Sequence, residues 1–162
     1  MRGLLWLWWL ALRNELPARR PVQVQPLVWV GGIPTPRRWR ALRRRGVKWA
    51  LSLLGEMEPP TWVSNADHLL WLRVPDRFAP TLEQLVDAAD FLDRSVASQT
   101  GVLIFCGSGI GRAPTTYAAW RMRASHSDPE DALACVLRVR SIASPTREQR
   151  SRLKEWSEFL RQ

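Results

Sequence analysis

Lysine is almost missing from this chain. Its 24 basic residues include only Lys48 and Lys154, leaving 22 arginines against 15 acidic residues and a formal charge of +9. Cysteine and histidine are as scarce, at two each: Cys106, Cys135, His68 and His126. That excludes a disulfide framework and a four-cysteine zinc site, and a reducing, cytoplasmic setting fits. No metal and no cofactor are expected. Long hydrophobic runs are also lacking. Leu4 to Leu12, LLWLWWLAL, holds nine apolar residues, where a spanning helix needs about 20. No small-x-small cleavage site follows it, as a signal peptide would require.

A chain of 162 residues, 46% of them apolar, suits one globular domain with a core of its own. Arginine in such excess favours phosphate-bearing partners, because guanidinium grips phosphate bidentately. Codon bias explains the excess equally well. The Trp-rich segment, flanked by Arg2 and Arg13, reads either as a peripheral membrane contact or as a helix packed on its own domain. Residues 13–26, with Pro17, Pro21 and Pro26, read as a linker.

Beyond it, strands and helices alternate. Strands are expected at Val28–Val30, Val47–Leu54, Leu69–Val74 and Val102–Phe105, and helices after Thr35-Pro36, after the Thr81/Gln84 capping box, from Ala113, from Asp128-Pro129 and from Thr146. Leu85, Ala89, Leu92 and Val96 share one helical face, as do Ala132, Val136 and Val139. The pattern predicts an α/β fold: a central, mostly parallel sheet flanked by helices, with a helical C-terminal half.

The sharpest local signal is Cys106-Gly107-Ser108-Gly109-Ile110-Gly111-Arg112, between a buried strand and a helix. Three glycines let successive N–H groups point inward, and the helix dipole adds positive potential there, so the loop can cradle a tetrahedral oxyanion. It lacks the G-x-x-x-x-G-K-[ST] of a nucleotide loop and the spacing of a dinucleotide fingerprint. A thiol in that positive potential favours its thiolate. Arg112 can fold back over the loop and clamp two oxygens of a phosphoryl group. Nucleophile, cradle and clamp together describe phosphoryl transfer through a cysteinyl-phosphate.

Cys-x5-Arg in this setting resembles the signature of the cysteine-dependent tyrosine and dual-specificity phosphatases, most closely their small atypical type. Leu72-Arg73-Val74-Pro75-Asp76 looks like that family's general-acid segment, and a carboxyl at a strand's C-terminal end can protonate a leaving oxygen. Val28–Pro34, Ala50–Leu53 and Ser141-Ile142 with Gln149 also match the family pattern. The likeness spans roughly residues 22–160, which sets residues 1–20 apart as an apolar segment with a basic linker and 21–162 as the catalytic domain. It implies a metal-independent phosphatase of phosphotyrosine and phosphoserine/threonine in proteins, with Cys106, Arg112 and Asp76 catalytic. Gly107, Ser108, Gly109, Ile110 and Gly111 would bind phosphate, with Ala113 and Gln149 supporting.

Two positions depart from the family. Phe105 stands where His usually precedes the nucleophile, and Ala113 where Ser or Thr usually follows the arginine, so slow breakdown of the phosphoenzyme is expected. Thr115 and Thr116 are the nearest substitutes for that hydroxyl. A phospholipid or RNA 5′-phosphate substrate, or a weakly active phosphate-binding role, are the alternatives. Nucleic acid is disfavoured as a partner because aromatics are not interleaved with the Arg37–Arg45 run beyond Trp39 and Trp49. Cys135 is expected in the core.

Overall fold

The computed structural model describes residues 2–162. Helix α1 (Arg2–Arg13) leads through a short 3-10 turn to β1 (Val22–Gln25), β2 (Val28–Gly32), α2 (Pro36–Arg44), β3 (Val47–Ser52) and β4 (His68–Trp71). Then come α3 (Leu82–Ala97), β5 (Gly101–Cys106), α4 (Arg112–Ser125), α5 (Pro129–Leu137) and α6 (Arg147–Phe159). The sheet order is β1-β2-β5-β3-β4. Strands β2, β5, β3 and β4 are parallel, and β1 is an antiparallel edge strand paired to β2. The expected α/β architecture is therefore what the chain adopts.

Strand β5 lies at the centre and is buried along its whole length. Side chains alternate across a strand, so its residues divide between two cores. Val102, Ile104 and Cys106 face the side covered by α3 and α4, packing with Phe91, Leu92, Ala113 and Tyr117. Leu103 and Phe105 face the side covered by α1 and α2, packing with Leu7, Leu10, Ala11, Trp39 and Leu42. A third cluster, with Leu85, Leu153 and Trp156, joins α3, α4, α5 and α6. The expected capping box, Thr81 with Gln84, is present, and α6 opens on a second one, Thr146 with Gln149.

Residues 13–26 differ from the linker expected of them. Val22–Gln25 pairs with β2, and its half-exposed side chains, typical of an edge, hide the strand from a search for apolar runs. The expected stripe through Val136 and Val139 also breaks. Helix α5 ends at Leu137, so Val139 turns outward and Arg140 turns in. Cys135 is half-buried rather than a core residue, with its sulfur accepting from Arg138.

Candidate active site

The segments leaving the carboxyl ends of β2, β5, β3 and β4 converge on one edge of the sheet, where open α/β sheets bind ligands. Gly32 lies opposite Cys106, and Ser52 opposite Phe105, which brings residues 31–34 and 53–56 to either side of the loop that follows β5. The chain after β4 delivers Asp76. A cavity of about 290 Å³ opens there, lined by Asp76, Arg77, Cys106, Ser108, Ile110, Gly111, Arg112, Ser144, Thr146 and Gln149. Cys106 lies almost wholly buried at its base.

Every carbonyl of residues 107–111 is held from outside the loop. The Gly107 carbonyl accepts from the Ile33 N–H and from Asn14 Nδ2 (2.9 Å). The Ser108 and Gly109 carbonyls accept from Arg140 at 3.0 and 2.6 Å, the Ile110 carbonyl from the Ser144 N–H and the Gly111 carbonyl from Thr115. Among the described residues, the N–H groups of 107–111 have no acceptor. Carbonyls pinned outward turn the amides to the cavity, and that makes the anion cradle. Gly109 has φ +66°, and a Cβ there would strike the backbone of Gly31 and Gly32, so the sharpest bend requires glycine.

Arg140 is buried, yet it gives its guanidinium to four carbonyls, adding those of Arg19 and Arg20 at 3.1 and 2.7 Å. Burial draws its pKa down to about 10, which still leaves it charged at neutral pH. It joins the loop to the segment between α1 and β1. Asn14, buried at the end of α1, bridges the Ile33 carbonyl (3.0 Å) and the Gly107 carbonyl. Asn14→Ala leaves those two carbonyls without this donor. A loss of about 1–3 kcal/mol is expected, read as a lower midpoint of thermal unfolding; an unchanged midpoint would show the bridge to be idle.

Arg112 opens α4 and is only 3% exposed. Its Nη1 donates to Glu56 Oε2 (2.7 Å) and to the carbonyls of Val74 (2.8 Å) and Leu53 (3.1 Å). Its Nη2 meets Glu56 Oε1 (3.0 Å) and Asp76 Oδ1 (2.9 Å). Nε has no acceptor among the described residues. The fork is thus braced by Glu56 on one edge, and Asp76 touches it from the mouth. Burial alone would raise the Glu56 pKa, but the hydrogen bonds and charge of Arg112 outweigh it and hold the carboxyl below its usual range. Burial works against the Arg112 cation too, and Glu56, then Cys106 and Asp76, more than offset it.

The Asp76 loop is tied to the start of α6. The Thr146 hydroxyl donates to the Arg77 carbonyl (3.1 Å), Gln149 Nε2 to the Phe78 carbonyl (2.9 Å), and the Ala79 N–H to Glu148 (3.2 Å). Gln149 is fully buried, its Oε1 taken by the Thr146 N–H, and Gly111 leaves just enough room for it. Asp67, at the opposite end of β4 from Asp76, pairs with Arg43 away from the cavity.

The expected site residues therefore come together: Cys106, the loop, Arg112, Asp76 and Gln149. Ala113 is buried directly behind, in the core. Thr115 and Thr116 do not replace its missing hydroxyl, since both donate to carbonyls one turn back, of Gly111 and Arg112. Phe105 lies beneath α1 with no polar group to offer the loop. Sequence reasoning missed Glu56, Asn14 and Arg140. Glu56 was findable as the first acid beyond a strand parallel to the cysteine strand. Asn14 continues the inner stripe of Leu7, Leu10 and Ala11 at helical spacing, a polar residue in an apolar series.

A phosphate-cradling loop with cysteine at its base, at the carboxyl edge of a parallel sheet, is the architecture of the cysteine-based phosphatases. The family model for the dual specificity phosphatase catalytic domain matches residues 43–159, and the chain belongs to that family. It is 26% identical over 148 residues to the human protein named dual specificity protein phosphatase 9, covering 90% of this chain and 38% of that one. To human dual specificity protein phosphatase 6 it is 27% identical over 137 residues, covering 83% and 35%. The chain thus spans well under half the length of these curated relatives. Among solved structures, Tk-PTP in its active form superimposes with a TM-score of 0.77 at 28% identity, covering 89% of this chain and 99% of that one. PTPMT1 in complex with PI(5)P shares the fold, with a TM-score of 0.80 at 22% identity, covering 87% and 96%.

Proposed function

We propose that this domain hydrolyses phosphomonoesters, with phosphotyrosine and phosphoserine/threonine in proteins as the substrate class, through a cysteinyl-phosphate. The observation that carries the reading is the pinning of five loop carbonyls outward around Cys106, with Arg112 and Asp76 at the same cavity. Cys106 Sγ attacks phosphorus as the thiolate, forming an S–P bond while the ester P–O bond breaks. Asp76, as the carboxylic acid, gives its proton to the leaving oxygen. The loop amides and Arg112 hold the three equatorial oxygens. Phosphate takes Arg112 Nε and displaces Asp76 from Nη2, which frees the carboxyl to turn toward the leaving group. Water then attacks phosphorus, Asp76 takes its proton, and the S–P bond breaks to release phosphate and restore the thiolate. No hydroxyl follows Arg112 to stabilise that departing thiolate, so the second step is the slower one.

The test is hydrolysis of p-nitrophenyl phosphate in excess EDTA, followed by phosphate release from phosphotyrosine and phosphoserine peptides. Turnover that EDTA stops, or none at all, would sink the reading. Asp76→Asn is expected to cost about 10²–10⁴-fold in kcat/KM, which reads the first step alone, on phosphopeptides, whose leaving groups need the proton, and far less in kcat/KM on p-nitrophenyl phosphate. Equal losses on both would remove Asp76 from the acid's role.

A second reading has one observation in its favour. A groove of about 540 Å³ runs beside the mouth, lined by Gly3, Trp6 and Met57 together with Glu56 and Asp76. An apolar chain carrying a phosphomonoester fits such a wall, so a lipid-borne phosphate is the alternative substrate. Release from a phospholipid monoester exceeding that from the peptides would select it.

A further inference from the structure

Helix α1 is apolar on a face that no described residue covers. Its inner stripe, Leu7, Leu10, Ala11 and Asn14, is buried on the sheet. The opposite stripe, at i, i+4 and i+7, is Leu5, Trp9 and Leu12, which are 72%, 54% and 60% exposed. A surface helix ordinarily places charges there. Leu4 and Trp6 extend the patch, and Arg13 caps it with its guanidinium 5.2 Å from the Trp9 ring. At 12 residues α1 cannot cross a bilayer, but it has the make-up of a helix lying in the interface: leucine and tryptophan outward, arginine at the end.

The neighbouring element decides what covers this patch. Helix α2 buries Trp39 and Leu42 in the same core cluster as α1, so both helices cover one face of the sheet. Arg37, Arg40 and Arg44 of α2 are exposed. An apolar stripe and an arginine stripe on the same side of the sheet complement an anionic lipid surface, which attracts basic groups held near it. A second copy of this chain would bring the same arginines face to face. We infer that the outward face of α1, with the exposed arginines of α2, docks on an anionic bilayer. Trp6 and Asp76 line one groove, so docking holds the mouth of the site at the membrane surface.

The test is sedimentation of the whole chain with vesicles of phosphatidylcholine alone and of phosphatidylcholine with about 30% phosphatidylglycerol. Wild type should bind the anionic vesicles, more weakly as salt rises. The double variant L5E/W9E should bind at least about tenfold more weakly, and R37E/R40E/R44E should lose the preference for anionic vesicles. Thermal unfolding checks that each variant is folded, since all five residues point away from the core. Wild type that stays in the supernatant, or variants that sediment as wild type does, would overturn the inference. So would a concentration-dependent dimer, seen by analytical ultracentrifugation, that L5E/W9E dissolves while vesicle binding is nil. Sedimentation is read without turnover, so an inactive enzyme fails the phosphatase reading alone.

Discussion

Cys106→Ser should abolish turnover, by about 10⁴-fold or more, while the protein still binds phosphate or tungstate. The residue is 2% exposed at the end of a fully buried strand, and the exchange of sulfur for oxygen perturbs that packing little. What changes is the chemistry. A serine hydroxyl is intrinsically a far weaker acid than a thiol, and among the described residues no base is hydrogen-bonded at this position to take its proton. The cradle is made of backbone groups held by Asn14, Arg140, Ser144 and Thr115, none of which depends on the sulfur. Anion affinity should therefore hold, measured by isothermal titration beside the p-nitrophenyl phosphate assay. Cys135→Ser is the control. That sulfur lies on α5, against Arg138 and away from the cavity, and full activity is expected. Persistent turnover in Cys106→Ser would place the nucleophile elsewhere.

The loop, Cys106, Arg112 and Asp76 were legible because each belongs to a local pattern. Cys-x5-Arg stands between a buried strand and a helix, and Pro75-Asp76 follows a strand. Capping boxes are legible for the same reason, being written in four consecutive residues. Glu56, Asn14 and Arg140 were not, because their roles are defined by what the sheet brings beside them: Arg112 is 56 positions from Glu56, Gly107 is 93 from Asn14, and Gly109 is 31 from Arg140. Strand β1 was missed because an edge strand needs only one apolar face, and Val22 and Val24 carry that face alone. The departure at Phe105 becomes intelligible only in the fold. Its position points to the α1 side of the sheet, where the cluster of Leu7, Leu10 and Trp39 makes an apolar side chain the better fit. Asn14, delivered by that same helix, supplies a polar hold on the loop at Gly107.

Arg112→Lys should lower turnover on the order of 10³-fold although the charge is kept. Lysine offers three donors from one nitrogen; Arg112 presents two nitrogens to Glu56, Val74, Leu53 and Asp76 while Nε remains for the substrate. An ammonium that satisfies Glu56 has little left to meet two phosphoryl oxygens in a fixed geometry. Glu56→Gln tests the brace separately. Glu56 touches no reacting atom and acts as a positioning residue, so its loss should cost up to about 10²-fold, in kcat more than in KM. In the Arg112→Lys background the same change should cost little further, because the fork it braces is gone. The pair also predicts a pH signature. A carboxylate held below its usual value of 4.5 contributes stability that is complete above that pH and lost as the pH falls through the lowered value. Wild type should thus lose stability below pH 4.5 more steeply than Glu56→Gln, by denaturant midpoints measured across the acid range. Parallel pH profiles, or a Glu56→Gln enzyme as fast as wild type, would show that Arg112 is held by the Val74 and Leu53 carbonyls alone.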